Sequence, residues 1–125
     1  MSLGYGGLAR KTAGNEQSVI YSYGGYNWNI EKYHNEDKLC DGEIEIKKCA
    51  LPDPTISEAT QKGSEQAIDY DKLLSEEKII VKNCSNCWKF YSSTQIDVSA
   101  LMLIRKIFSA YLQDGQLPKT TAYFQ

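Results

Sequence analysis

The sequence predicts an α+β fold, an antiparallel sheet of four to five strands packed by one long C-terminal helix plus a short helix. Three observations lead there. Residues 98–113 repeat apolar side chains at the period of an α-helix. Residues 42–48, Gly-Glu-Ile-Glu-Ile-Lys-Lys, alternate charged with apolar, as a strand does when one sheet face is wet, and this favours antiparallel pairing. The strand-like segments come before the long helix, the order of a sheet covered by helix on one side.

Set at about 100° per residue, Ala100, Leu101, Leu103, Ile104, Ile107, Phe108, Ala110, Tyr111 and Leu112 form one apolar arc of roughly 200°. Ser99, Arg105, Lys106, Ser109 and Gln113 fill the remainder with Val98 and Met102. The arc is wider than the stripe of an ordinary surface helix. A flat sheet leaves part of it bare, so a second element, a crossing loop or another subunit must cover the rest. Thr94 and Asp97 suit the N-terminal cap, and Asp114-Gly115 followed by Pro118 marks the far end. Arg105-Lys106 interrupts the apolar run, which falls short of the ~20 residues of a membrane helix.

The rest of the chain is read in order. Residues 4–16 are rich in glycine, show neither period, and are expected to be irregular. Residues 17–23 form a first strand with Val19, Tyr21 and Tyr23 on one face, ended by Gly24-Gly25. Residues 26–41 are a loop with a helical turn at 30–34. In the strand 42–48, Ile44 and Ile46 face inward. Residues 50–66, with Pro52, Pro54 and Gly63, are expected to be a mobile loop. Residues 67–70 suggest a short strand, with a short helix from Asp71 to Glu77 behind it, Leu73 and Leu74 inward. Lys78-Ile79-Ile80-Val81-Lys82 is apolar on both sides and is placed centrally in the sheet. Cys87-Trp88-Lys89-Phe90-Tyr91 is taken as a returning strand, and residues 120–124 as an edge strand or a loose tail.

Length and composition fit one domain, residues 4–125, large enough to bury a core without disulfides. Met1-Ser2-Leu3 is read as an expression-vector remnant. The net charge of −2 gives no electrostatic reason for tight nucleic-acid binding. The chain opens without a basic start and a long apolar run, so the expected setting is cytoplasmic, without membrane contact, and the cysteines are expected as reduced thiols.

Cys84-Ser85-Asn86-Cys87 is the sharpest chemical motif. Two thiolates at this spacing can grip one Zn²⁺, with Cys40 and Cys49 as the remaining ligands and His34 in reserve. The second pair is not a close one, since eight residues separate Cys40 from Cys49. The plainer expectation is cysteines acting as small buried hydrophobes. A redox pair would sit at a helix N-terminus, whereas here strand-like residues flank the motif. A cysteine nucleophile would need His34, the only histidine, as its base. Asp41, Glu43 and Glu45 cluster, but on a face expected to be solvated. Phosphate-cradling loops and hydrolase motifs are absent from the sequence.

The second lead is aromatic. Five of nine tyrosines (Tyr5, Tyr21, Tyr23, Tyr26, Tyr33) fall in the first third with Trp28. In Tyr21-Ser22-Tyr23-Gly24-Gly25-Tyr26-Asn27-Trp28-Asn29, aromatic faces stand beside glycine and amide side chains, a composition suited to contact surfaces as well as sheet cores. No lysine or arginine interleaves them, which disfavours nucleic acid. The expected function is therefore a small non-catalytic binding or protein-interaction module. Its contact residues would be Tyr21, Tyr23, Tyr26 and Trp28, and the excess helix arc would support a homodimer. A zinc-stabilised domain through Cys84, Cys87, Cys40 and Cys49 is the alternative, with a thiol-dependent enzyme behind it.

Overall fold

The computed structural model describes residues 4–35, 39–51, 68–86, 88–90 and 96–124. Five strands make one antiparallel sheet: β1 (Tyr5–Gly14), β2 (Ser18–Asn27), β3 (Gly42–Lys47), β4 (Ile79–Lys82) and β5 (Thr120–Phe124), in the order β4-β3-β2-β1-β5. A short helix, α1 (Tyr70–Ser75), precedes β4, and the long helix, α2 (Val98–Asp114), covers one face of the sheet. This is the α+β arrangement expected from the sequence. None of the described helices is long and apolar enough to cross a membrane.

The helix α2 forms where its apolar period places it. Asp97 is the N-cap, its carboxylate accepting the Ser99 N–H at 3.0 Å, and Gly115 closes the other end in the left-handed conformation at φ 73°. Ala100, Leu103, Ile104, Ile107 and Phe108 are buried with Val19, Tyr21 and Tyr23 of β2 and with Ile44 and Ile46 of β3. The Val, Leu, Ile and Phe side chains among these contribute about 1.5–3 kcal/mol each on burial. Part of the remaining arc is covered within the chain. Tyr70 meets Phe108 edge-on with ring centres 5.5 Å apart, and Leu73, Leu74 and Leu117 pack on the same core. Leu101, Ala110 and Tyr111 of the same arc stay half-buried.

Several local expectations give way to tertiary structure. Residues 4–16 are not irregular but hold β1, which pairs with β2 on one side and β5 on the other. Gly24-Gly25 does not end β2, which continues to Asn27. The glycines are packing residues here. A Cβ at Gly7 would lie 3.0 Å from the Tyr123 ring, and one at Gly25 would lie 2.6 Å from Ser99 Oγ. Ser99, expected on the polar side of α2, is buried and accepts the Tyr123 hydroxyl at 2.9 Å.

Among the described residues the strand at 79–82 is an edge, not the centre, because β3 is its one partner in the sheet order. Its Ile79 faces the core while Ile80 stands on the open face. Asp69 caps α1 by accepting the Lys72 N–H, which replaces the short strand expected at 67–70. Residues 88–90 make a single bridge, Phe90 with Asp97, rather than a returning strand. Most of the loop expected at 50–66 lies outside the described residues, as does Cys87.

Candidate functional site

Alternation along β2 divides its aromatic residues between two environments. Tyr21 and Tyr23 point to the α2 side and are fully buried. The Tyr21 hydroxyl donates to the Pro118 carbonyl, and burial pushes its pKa up to about 12. These two tyrosines of the expected contact set are core residues. Tyr26 lies on the opposite face and is half-buried, and Trp28, just past the strand end, is 53% exposed.

Trp28 is held by its surroundings. The Tyr26 ring centre lies 5.6 Å from the indole and the His34 ring centre 5.3 Å, both tilted by 52°. The Trp28 N–H donates to the Gly4 carbonyl at 2.6 Å, and its own carbonyl accepts His34 Nε2 at 2.9 Å. Ile30 and Leu39, 38% and 51% exposed, project from the same loop.

The asparagines that mark this stretch as a loop are also what hold it in place. Asn35, in the left-handed conformation at φ 53°, donates to the carbonyls of Gly25 and Leu39 and accepts the Leu39 N–H at 2.8 Å. Asparagine tolerates that geometry better than most residues. Asn86 donates to the same Gly25 carbonyl and to that of Tyr33. The Asn27 side chain accepts the Asn29 N–H. Leu39 crosses so close to β2 that a Cβ at Gly24 would lie 1.9 Å from its carbonyl oxygen. A glycine thus seats the loop that carries the exposed apolar residues.

No family model, no curated protein and no solved structure matches this chain.

The three described cysteines are spread along the sheet. Cys84 is buried just after β4, and Cys40 is half-buried just before β3. Cys49 is exposed in the turn after β3, at the other end of a strand about 20 Å long. Antiparallel pairing sets Cys84 near the Cys40 end, since the Ser85 N–H reaches Asp41 Oδ1 at 3.0 Å. The Ser85 hydroxyl, followed by this backbone bond, holds the Asp41 carboxyl below its ordinary value. Burial pushes the Cys40 thiol up, opposed by the Arg10 guanidinium. Among the described residues no three His, Cys, Asp or Glu side chains come together as a metal-binding group.

A buried polar cluster emerges that the sequence did not announce. Asp97 Oδ2 accepts the Tyr23 hydroxyl at 3.0 Å and the Cys84 thiol at 3.4 Å, while the Cys84 N–H donates to the Tyr23 oxygen at 3.0 Å. The Asp97 N–H donates to Asn83 Oδ1. The cluster joins β2, the end of β4 and the start of α2. With Cys84 buried and committed to these bonds, its geometry is that of a structural latch, not an exposed nucleophile. The signal for it in the sequence was Asp97 as a cap; its remaining partners are distant in the chain.

Proposed function

We propose that this protein is a non-catalytic protein-interaction module, with Trp28 at the centre of its contact surface and Tyr26, Ile30 and Leu39 around it. The observation that supports this is a half-exposed indole fixed between two rings. Large aromatic side chains dominate binding energy at protein interfaces, and one already held in place loses little freedom on binding. Asn35 and Asn86 tie down the described backbone near these residues at Gly25, Tyr33 and Leu39, which supports a contact surface formed before any partner arrives. Tyr21 and Tyr23 support it from within the core.

The test is affinity capture with the tagged protein, compared by quantitative mass spectrometry with Trp28→Ala and, as a control, Ile80→Ser on the open sheet face. A partner retained by the control and lost with Trp28→Ala is expected, with binding to the purified partner weakened roughly thirtyfold or more. Equal capture by both variants would remove Trp28 from the interface. Light scattering identifies a second copy as the occupant if the mass exceeds 14.1 kDa and returns to it in Trp28→Ala.

A further inference from the structure

We infer that a second surface, the groove beside the β1–β2 turn, receives an extended acidic segment of a partner protein. The groove has a volume of about 600 Å³, within the range of binding clefts, and its lining includes Lys11, Glu16, Val19, Lys48 and Leu117. It is independent of the Trp28 surface. The groove touches the start of β2 and Trp28 follows its end, which sets them about 30 Å apart.

Charge is the first reason. Lys11 and Lys48 line the groove, the Lys11 N–H donates to the Lys119 carbonyl at 2.8 Å, and Lys47 precedes Lys48. None of these four lysines is ion-paired among the described residues. Glu16 is the one acid opposing them in the described lining. On a chain of net charge −2, this end is locally positive and complements carboxylates.

The backbone is the second reason. The β1–β5 ladder ends where Arg10 faces Thr120, so no β5 residue stands opposite Thr12, Ala13 or Gly14. A bulge between Lys11 and Ala13 leaves Thr12 outside the β2 register, its hydroxyl donating to the Ile20 carbonyl at 3.3 Å, and such bulges bend a strand. An outer strand edge thus borders the groove, and extended peptides add to such edges through main-chain hydrogen bonds. Val19 and Leu117 supply an apolar wall for an alternate side chain of the incoming strand. That wall, and the lack of an aromatic residue in the described lining, favour a peptide over a nucleic acid.

The experiment is a ¹⁵N NMR titration of the full chain with a capped hexapeptide alternating glutamate and valine. Shifts confined to the amides of residues 11–16, 48, 117 and 119 are expected. Reversing charge with Lys11→Glu and Lys48→Glu together weakens binding at least about tenfold, and Lys72→Glu on α1 leaves it unchanged. The same spectra report whether the variants fold. If the double variant does not, Lys48→Gln alone is expected to weaken binding about threefold. The proposal is overturned if these amides stay still at about 5 mM peptide. Equal binding of a lysine–valine peptide overturns it as well. So do equal shifts from inorganic phosphate or an oligouridylate, which would make the groove a general anion site.

Discussion

The Tyr23 hydroxyl donates a 3.0 Å hydrogen bond to the buried carboxylate of Asp97, 74 residues further along the chain. One bond thereby ties the middle of the sheet to the N-terminus of the helix that covers it. Cys84 closes the triangle, giving its N–H to the Tyr23 oxygen and its thiol to Asp97. Tyr23→Phe keeps the ring and removes the oxygen, which leaves the Cys84 N–H without that acceptor in the core. A loss of about 1.5–3 kcal/mol is expected, because a buried group stripped of its partner costs its desolvation. Urea unfolding should show a lower midpoint with an unchanged slope.

Gly42 and Gly14 provide a matched pair. A Cβ at Gly42 would fall 2.3 Å from the Tyr23 ring and 2.8 Å from the Cys84 nitrogen, whereas at Gly14 the nearest atom is 3.7 Å away. Gly42→Ala should cost about 2–3 kcal/mol or more by forcing the latch apart. Gly14→Ala should stay within about 0.5 kcal/mol of the parent. Thermal unfolding of both variants checks the contrast.

Alkaline pH provides a third test. Burial raises the pKa of Tyr21 and of Tyr123 from 10.0 to about 12. Below pH 10 both phenols keep their protons whether the chain is folded or not. Above it the unfolded chain releases them first, so stability falls as pH rises, until the folded phenols ionise near 12. Denaturant midpoints should be level on the neutral side and drop through this window. Tyr21→Phe should flatten part of the drop.

Trp88 carries the one buried side-chain nitrogen without a hydrogen-bond partner among the described residues, while its ring packs 4.8 Å from that of Tyr5. Trp88→Phe retains an aromatic partner for Tyr5 and removes the unpaired N–H. Stability should be unchanged or higher by up to about 1 kcal/mol, whereas Trp88→Ala should lose about 2 kcal/mol or more with the ring contact. Chemical denaturation of the two variants separates packing from polarity.

Helix α2 was legible in the sequence because its information is local. The spacing of Leu103, Ile104, Ile107 and Phe108, the cap at Asp97 and the stop at Gly115 all lie within about five turns of one another. The alternation of Ile44 and Ile46 with Glu43 and Glu45 marked β3 for the same reason. The sites were less legible. Tyr21, Tyr23, Tyr26 and Trp28 are similar in composition, and only the placement of α2 buries the first two and leaves Trp28 outside.

The sequence by itself determined the fold class, the long helix with its ends, and the inward faces of β2 and β3, since periodicity and capping act between near neighbours. Tertiary structure alone decided that the glycine-rich start is a paired strand, that β4 is an edge, that Ser99 is buried, and that Tyr23, Cys84 and Asp97 meet. Each of these depends on residues far apart in the chain, whose contacts exist only once the sheet has chosen its order. Gly7 and Gly25 look like turn residues until Tyr123 and Ser99 occupy the space their missing side chains leave.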